Sequence, residues 1–209
     1  MSATLSLRER KKAMTRTAIQ KQALRLFLAN GYDRVTVEEI AAAAHVSHMT
    51  FFRYFPTKED VVLSDEYDAL IAARISARPA SEPDIEKVRR AVLEGLGLVY
   101  AANRDALLTR TRLILGSVAL RARQWEQQRA TEHLIAAALA AFDGPANGPA
   151  NGPANGEPDL RARVVAAACL AAMATAVEAW AESDGARELP DLIDQAFVTL
   201  EHEVSATHG

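Results

Sequence analysis

Residues 36–55, TVEEIAAAAHVSHMTFFRYF, limit the fold more than any other stretch, because they predict two short helices joined by a tight turn. Thr36 is expected to cap the first helix, and Glu39 to complete a capping box, since these side chains pair with free backbone N–H groups of the first turn. Ser47 offers a second N-cap after the break at His45. The layout is that of a helix-turn-helix, whose second helix can enter a DNA major groove.

The composition favours a helical protein whose positive charge lies at the front. Of the 209 residues, 49% are hydrophobic but only 6% are aromatic, and no convincing strand pattern is found. Residues 1–60 contain ten Lys and Arg against six Asp and Glu, or +4, while the remainder has 14 against 21, or −7, which together give the net charge of −3. A charge run alone would indicate a solvated face, but beside a helix-turn-helix it suits phosphate binding.

The motif and its flanks resemble the TetR family of bacterial one-component repressors over about residues 15–63. The residues that carry the resemblance are Thr36, Val37, Ile40, Ala41, Ala44, Val46, Ser47, Thr50, Tyr54, Phe55, Lys58 and Glu59. It implies an all-α protein with an N-terminal three-helix helix-turn-helix DNA-binding domain and a C-terminal helical ligand-binding and dimerisation domain. It also implies a homodimer that binds a double-stranded DNA operator with inverted repeats and is released by a small-molecule effector.

Three residues depart from the family pattern. His45 stands where glycine is common at the left-handed turn position, which histidine visits more readily than most residues, at some cost. Met49 replaces a frequent glycine or small residue, and Phe52 replaces a tyrosine that often reaches phosphate. These departures predict that the DNA contacts are redistributed.

The DNA contacts are expected from the second helix and its flanks, while Val46, Phe51 and Phe55 face the domain core. His48 is expected to donate to a base, and Met49 to touch a thymine methyl group. Phe52 is a second candidate for that contact, with packing against the first helix as the alternative. The full predicted set is Thr36, Ser47, His48, Met49, Thr50, Phe52, Arg53, Tyr54 and Lys58. In this set Thr50, Arg53, Tyr54 and Lys58 are assigned to phosphates.

The chain order predicts an N-terminal arm and helix-turn-helix domain over 1–60, a connecting helix over about 57–78 with Thr57 as its N-cap, and a second helical domain over 79–209. Residues 1 to about 10 are expected to be a flexible arm that reaches phosphate or minor groove, or else a terminus that touches nothing. Its cations are Arg8, Arg10, Lys11 and Lys12. Apolar spacing predicts helices over about 12–30 and 83–103, and residues 107–120 continue a helical pattern. Three Gly-Pro-Ala-Asn repeats at 144–156 predict an exposed linker.

Two long helices, about 158–183 and 190–205, carry more apolar surface than a solvated helix can expose, which predicts that this surface has a partner. The resemblance to the TetR family implies a homodimer through these last two helices, with burial inside the same chain as the alternative. The other apolar helices of the second domain predict a pocket for an apolar molecule, with plain core packing as the alternative. The stretch TFFRYFPTKEDVV resembles family members whose effectors are acyl-thioester-like, which implies an effector of that kind or another apolar compound. The candidate lining residues are Tyr100, Leu107, Leu113, Leu115, Trp125, Phe142, Met173, Val177 and Trp180.

Enzymatic function is the rival class, but the sequence has no nucleophile elbow, phosphate loop or metal-ligand cluster, so no catalytic residue, metal or cofactor is predicted. An effector-independent DNA-binding protein is the second alternative. Cys169 lies among alanines and is expected to be a packing thiol. No run of about 18 apolar residues and no signal peptide are recognised, which predicts a cytoplasmic protein without membrane contact.

Overall fold

The computed structural model describes residues 6–63, 67–98, 100–142 and 158–206. Regular structure in these residues is entirely helical, so the all-α prediction is confirmed. The described helices are α1 (Leu7–Asn30), α2 (Val37–Ala43), α3 (His48–Tyr54), α4 (Asp60–Leu63), α5 (Tyr67–Ser76), α6 (Asp84–Gly97), α7 (Tyr100–Gly116), α8 (Val118–Ala140), α9 (Leu160–Glu182) and α10 (Leu189–Ala206).

The chain forms two compact units. The first consists of Met1–Ser64 with Arg112–Arg123, and the second of Asp65–Thr111 with Gln124–Gly209. The segment 112–123 contributes buried Ile114 and Leu120 to the core of the first unit. The sequence did not predict that contribution. The division of the chain into domains over 1–60 and 79–209 stays a prediction.

The prediction of a flexible arm over residues 1 to about 10 was wrong for the part of this segment that the structure describes. Helix α1 begins at Leu7, because Ser6 accepts from Glu9 N at 3.2 Å while Ser6 N donates to the Glu9 carboxylate at 2.8 Å. This capping box satisfies free donors of the first turn, and Arg, Lys and Glu are good helix formers. Residues 1–5 lie outside the described residues. The cations at 8–12 are therefore carried on a helix.

Helices α1, α2 and α3 share one core in the first unit. Ile19, Ala23 and Phe27 of α1 are buried, and the helix ends at Asn30 with Gly31 as its C-cap, whose φ of 86° is a conformation that glycine adopts without strain. Thr57 caps the next turn as predicted, because Asp60 N donates to its hydroxyl at 3.1 Å. The helix expected over 57–78 corresponds to α4 and α5, and the three residues between them are not among those described.

The second unit is built around α6, α9 and α10. Helix α10 packs along α9 and against α6, and α5 packs on α6, where Ile71 lies beside Gly95. The prediction of one continuous helix over 83–103 was wrong, because α6 ends at Gly97 and α7 begins at Tyr100. Glycine raises the backbone entropy that a helix must lose, so Gly97 is a weak point in that stretch. The helix predicted over 107–120 was also interrupted, because α7 ends at Gly116 and α8 begins at Val118.

The two long helices predicted near the C-terminus are confirmed as α9 and α10. Helix α9 has a mean hydropathy of 1.8 over an 18-residue window and is long enough to cross a membrane. The expectation that no such run exists was therefore wrong, because alanine-rich segments score as apolar. Alanine-rich helices of ordinary protein cores pass the same test, and α9 packs against α10 and α6 through buried residues such as Ala166, Leu170 and Trp180. The repeats at 144–156 lie outside the described residues.

Candidate nucleic-acid interface

The first helix of the motif, α2, starts at a complete capping box. Glu39 N donates to the Thr36 hydroxyl at 3.2 Å, and Thr36 N donates to the Glu39 carboxylate at 2.8 Å. Ile40 and Ala41 are buried against the core of the first unit. The box fixes where α2 begins, and the buried pair fixes how it is rotated.

The turn between α2 and α3 passes through His45, whose φ of 55° confirms the predicted left-handed position. Val46 N donates to Ala41 O at 2.9 Å across this turn. A residue with a Cβ in this region is strained unless its side chain is tolerant, and histidine is among the more tolerant types. The turn between α2 and α3 therefore depends on His45, a residue other than glycine in the left-handed conformation.

Helix α3 is held by its cap and by two aromatic anchors. The Ser47 hydroxyl accepts from Thr50 N at 3.1 Å and lies 2.9 Å from the Thr50 hydroxyl. Phe51 and Phe55 are completely buried, as predicted, with ring centroids 5.8 Å apart. With one side of α3 fixed in the core, the opposite side projects from the unit.

That projecting side is unusually apolar. Met49 is 82% exposed and Phe52 is 40% exposed. The Phe52 ring lies edge-on to His48, with centroids 4.7 Å apart, and also contacts the ring of Phe51 in the same helix. His48 Nε2 lies 3.2 Å from a Glu38 carboxylate oxygen on α2. Glu38 was not among the residues that the sequence predicted for this surface. Its position in the first turn of α2, immediately before Glu39, was a usable signal.

The C-terminal end of α3 is tied to α1 by Arg16, a residue that the sequence did not single out. Its Nη1 donates to Tyr54 O at 3.2 Å, and its guanidinium lies 4.5 Å from the centroid of the Phe55 ring. Arg53 is exposed, and its guanidinium lies 5.6 Å from the Tyr54 ring centroid. The predicted phosphate contacts Arg53 and Tyr54 are therefore placed on a helix end that α1 holds in position.

Lys58 lies close to the connection between α1 and α2. Its Nζ donates to Tyr32 O at 2.6 Å and lies 4.2 Å from the Tyr32 ring centroid. The Tyr32 hydroxyl donates to Glu59 Oε1 at 2.7 Å. Burial first, and then the hydrogen bond to Glu59, raises the pKa of Tyr32. Burial alone would raise the pKa of Glu59, but hydrogen bonds, chiefly from Tyr32, together with the charge of Lys58 lower it overall.

A groove of about 770 Å³ opens between the start of α1 and the end of α3. Its walls are basic and partly apolar, and the described lining contains no carboxylate. The lining residues are Leu7, Arg8, Lys11, Lys12, Thr15, Arg53 and Tyr54. We call this feature the cationic groove. It joins the cations of the expected arm to two of the predicted phosphate contacts.

A second groove, of about 360 Å³, runs between α9 and α10 in the second unit. The side chains along it are small or polar, with Leu192 and Arg187 as the larger members. From α9 they are Ala172, Thr175, Ala176 and Ala179, and from α10 Leu192, Gln195, Ala196 and Thr199. We call it the α9–α10 groove.

Neither groove is lined by any of the nine residues predicted to contact a ligand. Tyr100 and Trp180 are buried together, with ring centroids 6.0 Å apart, and Leu189 N donates to the Tyr100 hydroxyl. Phe142 lies under Lys87 Nζ at 4.1 Å, and Trp125 is 70% exposed. The remaining five are partly buried, and two of them, Leu113 and Leu115, belong to the first unit while Leu107, Met173 and Val177 belong to the second.

Within the described residues, no group of three or more His, Cys, Asp or Glu side chains is placed to hold a metal ion. Cys169 is buried, and burial raises the pKa of its thiol to about 12. A thiol with that pKa stays protonated and is a poor nucleophile at neutral pH.

Comparison with known proteins identifies both parts of the chain. Residues 19–64 match the family model described as bacterial regulatory proteins, tetR family, and residues 82–205 match the MftR C-terminal domain. The HTH-type transcriptional regulator TcmR of Streptomyces glaucescens is 34% identical over 145 residues, which are 66% of this chain and 64% of TcmR. The match thus spans less than two thirds of that relative.

Solved structures share the fold at low sequence identity. The fatty acid degradation regulator FadR from Bacillus halodurans superposes with a TM-score of 0.57 at 22% identity, covering 89% of this chain and 94% of that one. FadR from Bacillus subtilis, solved in complex with stearoyl-CoA, gives 0.53 at 18% identity, covering 88% and 96%.

Proposed function

The chain belongs to the TetR family of DNA-binding transcriptional regulators, and on that premise we propose a homodimeric repressor that binds an inverted-repeat operator and is released by a small apolar or amphipathic ligand. As a member of this family of regulators it is not an enzyme. The observation that carries the proposal is the capped helix-turn-helix, whose helix α3 is anchored on one side and projects Met49 and Phe52 on the other. A regulator of its own cell's genes works in the cytoplasm, which is the location we propose.

The proposed DNA contacts divide by chemistry. His48 and the exposed Met49 and Phe52 are assigned to base edges, because these side chains project from α3. The hydroxyls of Thr36 and Ser47, which cap α2 and α3, and the hydroxyl of Thr50, which lies 2.9 Å from that of Ser47, are assigned to phosphates. Arg53, Tyr54 and Lys58 add further phosphate contacts. His48 Nε2 can donate to a base only by giving up its contact with Glu38.

Two single substitutions separate these roles. Lys58→Ala should weaken binding to all DNA sequences and lower the slope of log affinity against log salt by about one unit for each protomer of the dimer. His48→Ala should instead relax preference at one or two base positions. Both can be measured by fluorescence anisotropy over a panel of single-base operator variants. Equal weakening at every variant by both changes would refute base readout by His48.

Dimerisation is proposed through α9 and α10, supported by the α9–α10 groove and by the exposed side chains Leu160 and Val164 on α9. Small residues such as Ala172 and Ala196 let another helix approach closely. Thr175 is exposed in this groove, so Thr175→Arg should give a monomer in analytical ultracentrifugation. Ala137→Arg, on the exposed side of α8, is the matched control and should leave the dimer intact. A dimeric Thr175→Arg protein would exclude this face.

An effector of acyl-thioester or other apolar type is proposed for the second unit. Support comes from its apolar helices and from the stearoyl-CoA complex of the Bacillus subtilis neighbour, although at 18% identity that neighbour shares only the fold. The candidate lining residues that lie in this unit, all of the nine except Leu113 and Leu115, remain a proposal, with the buried pair Tyr100 and Trp180 as its most enclosed part. A ligand releases DNA only if it binds the non-operator conformation more tightly.

The effector proposal is tested by a screen of acyl-CoAs, fatty acids, aromatic drugs and dyes. An effector should both raise the melting temperature of the protein and dissociate it from its operator. If no apolar compound does both, an effector-independent DNA-binding protein becomes the better description.

A further inference from the structure

The face of α1 that packs into the core is apolar in one part of the helix and cationic in another. Ile19, Ala23 and Phe27 are buried, at the spacing of one helical face. One to three turns earlier, the same face carries Arg8, Lys12 and Arg16, at intervals of four residues. This face of α1 is therefore apolar where it packs in the core and cationic towards its N-terminal end. A cationic surface of this kind suits an anionic partner.

The cationic part of this face forms one wall of the cationic groove. Arg8, Lys11 and Lys12 line it from α1, and Arg53 lines it from α3. All four are exposed, and the described lining contains no acid to neutralise them. Glu9, the acid nearest in sequence, is occupied at the Ser6 cap. Four cations around one concave surface leave an uncompensated positive potential there.

The two walls of the groove are fixed to each other before any ligand arrives. Arg16 joins α1 to the last residue of α3 through Tyr54 O and the Phe55 ring. The Ser6 capping box keeps the first turn of α1 helical. From Arg8 to Thr15 the helix rises about 10 Å, which is the axial length of about three phosphates on one DNA strand.

We propose that the cationic groove binds the phosphate backbone of duplex DNA beside the segment that α3 reads. The proposal rests on the proposed DNA binding, and it replaces the expected flexible arm with cations that helix α1 holds in place beside Arg53 and Tyr54. The start of α1 thereby acts as a rigid phosphate-binding wall. Because phosphate contacts carry no base information, the groove strengthens binding to every sequence by the same factor.

The test compares two double variants that each remove two positive charges from α1. Arg8→Ala with Lys12→Ala alters the groove, while Lys21→Ala with Arg25→Ala alters exposed positions outside it. Affinity for an inverted-repeat operator and for a random-sequence duplex is measured against salt. The groove variant should lower the slope of log affinity against log salt by about two units for each protomer, or about four units for the dimer, on both duplexes, and the control by much less.

Each other outcome has a definite meaning. Matching slopes for the groove variant and the control would overturn the proposal, as would a wild-type protein that binds neither duplex. A groove effect on random-sequence DNA without any preference for the inverted repeat would contradict the proposed function and leave the groove inference standing. If inorganic pyrophosphate at constant ionic strength stabilised the wild type, but not the groove variant, and displaced DNA, the groove would be a small-anion site and the duplex proposal would be wrong.

Discussion

At the scale of single residues, the cluster of Tyr32, Lys58 and Glu59 links a proposed DNA contact to the stability of the first unit. Lys58 donates to the Tyr32 carbonyl, and the Tyr32 hydroxyl donates to Glu59. The Lys58 ammonium has three N–H donors, so one can hold Tyr32 O while another donates to a phosphate. Lys58→Ala therefore removes a hydrogen bond within the first unit as well as the proposed phosphate contact.

The lowered pKa of Glu59 gives this cluster a pH dependence of known sign. A carboxyl group whose folded pKa is below its ordinary value of about 4.3 stabilises the protein above that value and loses the contribution as pH falls through the folded pKa. Tyr32→Phe removes one hydrogen bond to the carboxylate, so it should cost about 1–3 kcal/mol at neutral pH and flatten the loss of stability on acidification. Urea unfolding of both proteins between about pH 3 and 7 measures this, and parallel curves would contradict it.

His45 carries a local backbone cost. Because its φ is 55°, a β-branched residue is strongly disfavoured there, whereas glycine adopts the conformation freely. We expect His45→Val to destabilise the first unit by about 1–2 kcal/mol, and His45→Gly to be neutral or stabilising by up to about 1 kcal/mol. Chemical denaturation orders the three proteins. A valine variant as stable as the wild type would show that the turn has an alternative conformation.

At the scale of elements, α1 is both a core helix and a wall of the cationic groove. Its apolar half could be predicted from spacing, since Ile19, Ala23 and Phe27 recur on one face. Its start at Leu7 could not be found from apolar spacing, because the signal there is the Ser6–Glu9 capping box. Arg16 lies at the junction of the two halves and connects the helix to α3.

Replacing Arg16 tests that connection. Arg16→Met keeps an unbranched stem but removes the hydrogen bond to Tyr54 O and the cation–π contact with Phe55, which together should cost about 1–3 kcal/mol of stability. DNA affinity should fall as well, because the end of α3 loses its support. Arg25→Met, at an exposed position of α1 whose described hydrogen bond is to Gln22, is the matched control and should change stability by under about 0.5 kcal/mol. If both variants lost the same amount of stability and DNA affinity, the contacts of Arg16 with Tyr54 and Phe55 would not be what holds the end of α3 in position.

At the scale of the whole molecule, local signals predicted the helix-turn-helix, α9 and α10, because caps and apolar periodicity lie within each segment. The placement of Arg112–Arg123 with the first unit was not predictable, since it depends on contacts of Ile114 and Leu120 with residues far away in sequence. The break after Gly97 was missed because the apolar pattern continues across it. For the ligand residues, the pattern identified buried aromatics such as Trp180 but could not distinguish a cavity wall from packed core.

The Gly-Pro-Ala-Asn repeats yield a prediction for the full chain. Loop-closure entropy changes slowly with length, so deleting one four-residue repeat from 144–156 should alter the free energy of unfolding by less than about 1 kcal/mol. Sedimentation and thermal unfolding of the deletion variant measure its association and stability. Loss of dimerisation on deletion would show that the repeat has a structural role.

The most direct test of the central claim is a footprint of the purified protein on the DNA upstream of its own gene and at neighbouring promoters, across a salt series. We expect protection of two inverted half-sites whose centres lie about 34 to 36 Å apart or somewhat more, and this protection should weaken as salt increases. The protection should be lost when both His48 and Met49, which are exposed on α3, are changed to alanine. The absence of salt-sensitive protection at all of these sites, or protection that survives the double change, would contradict it.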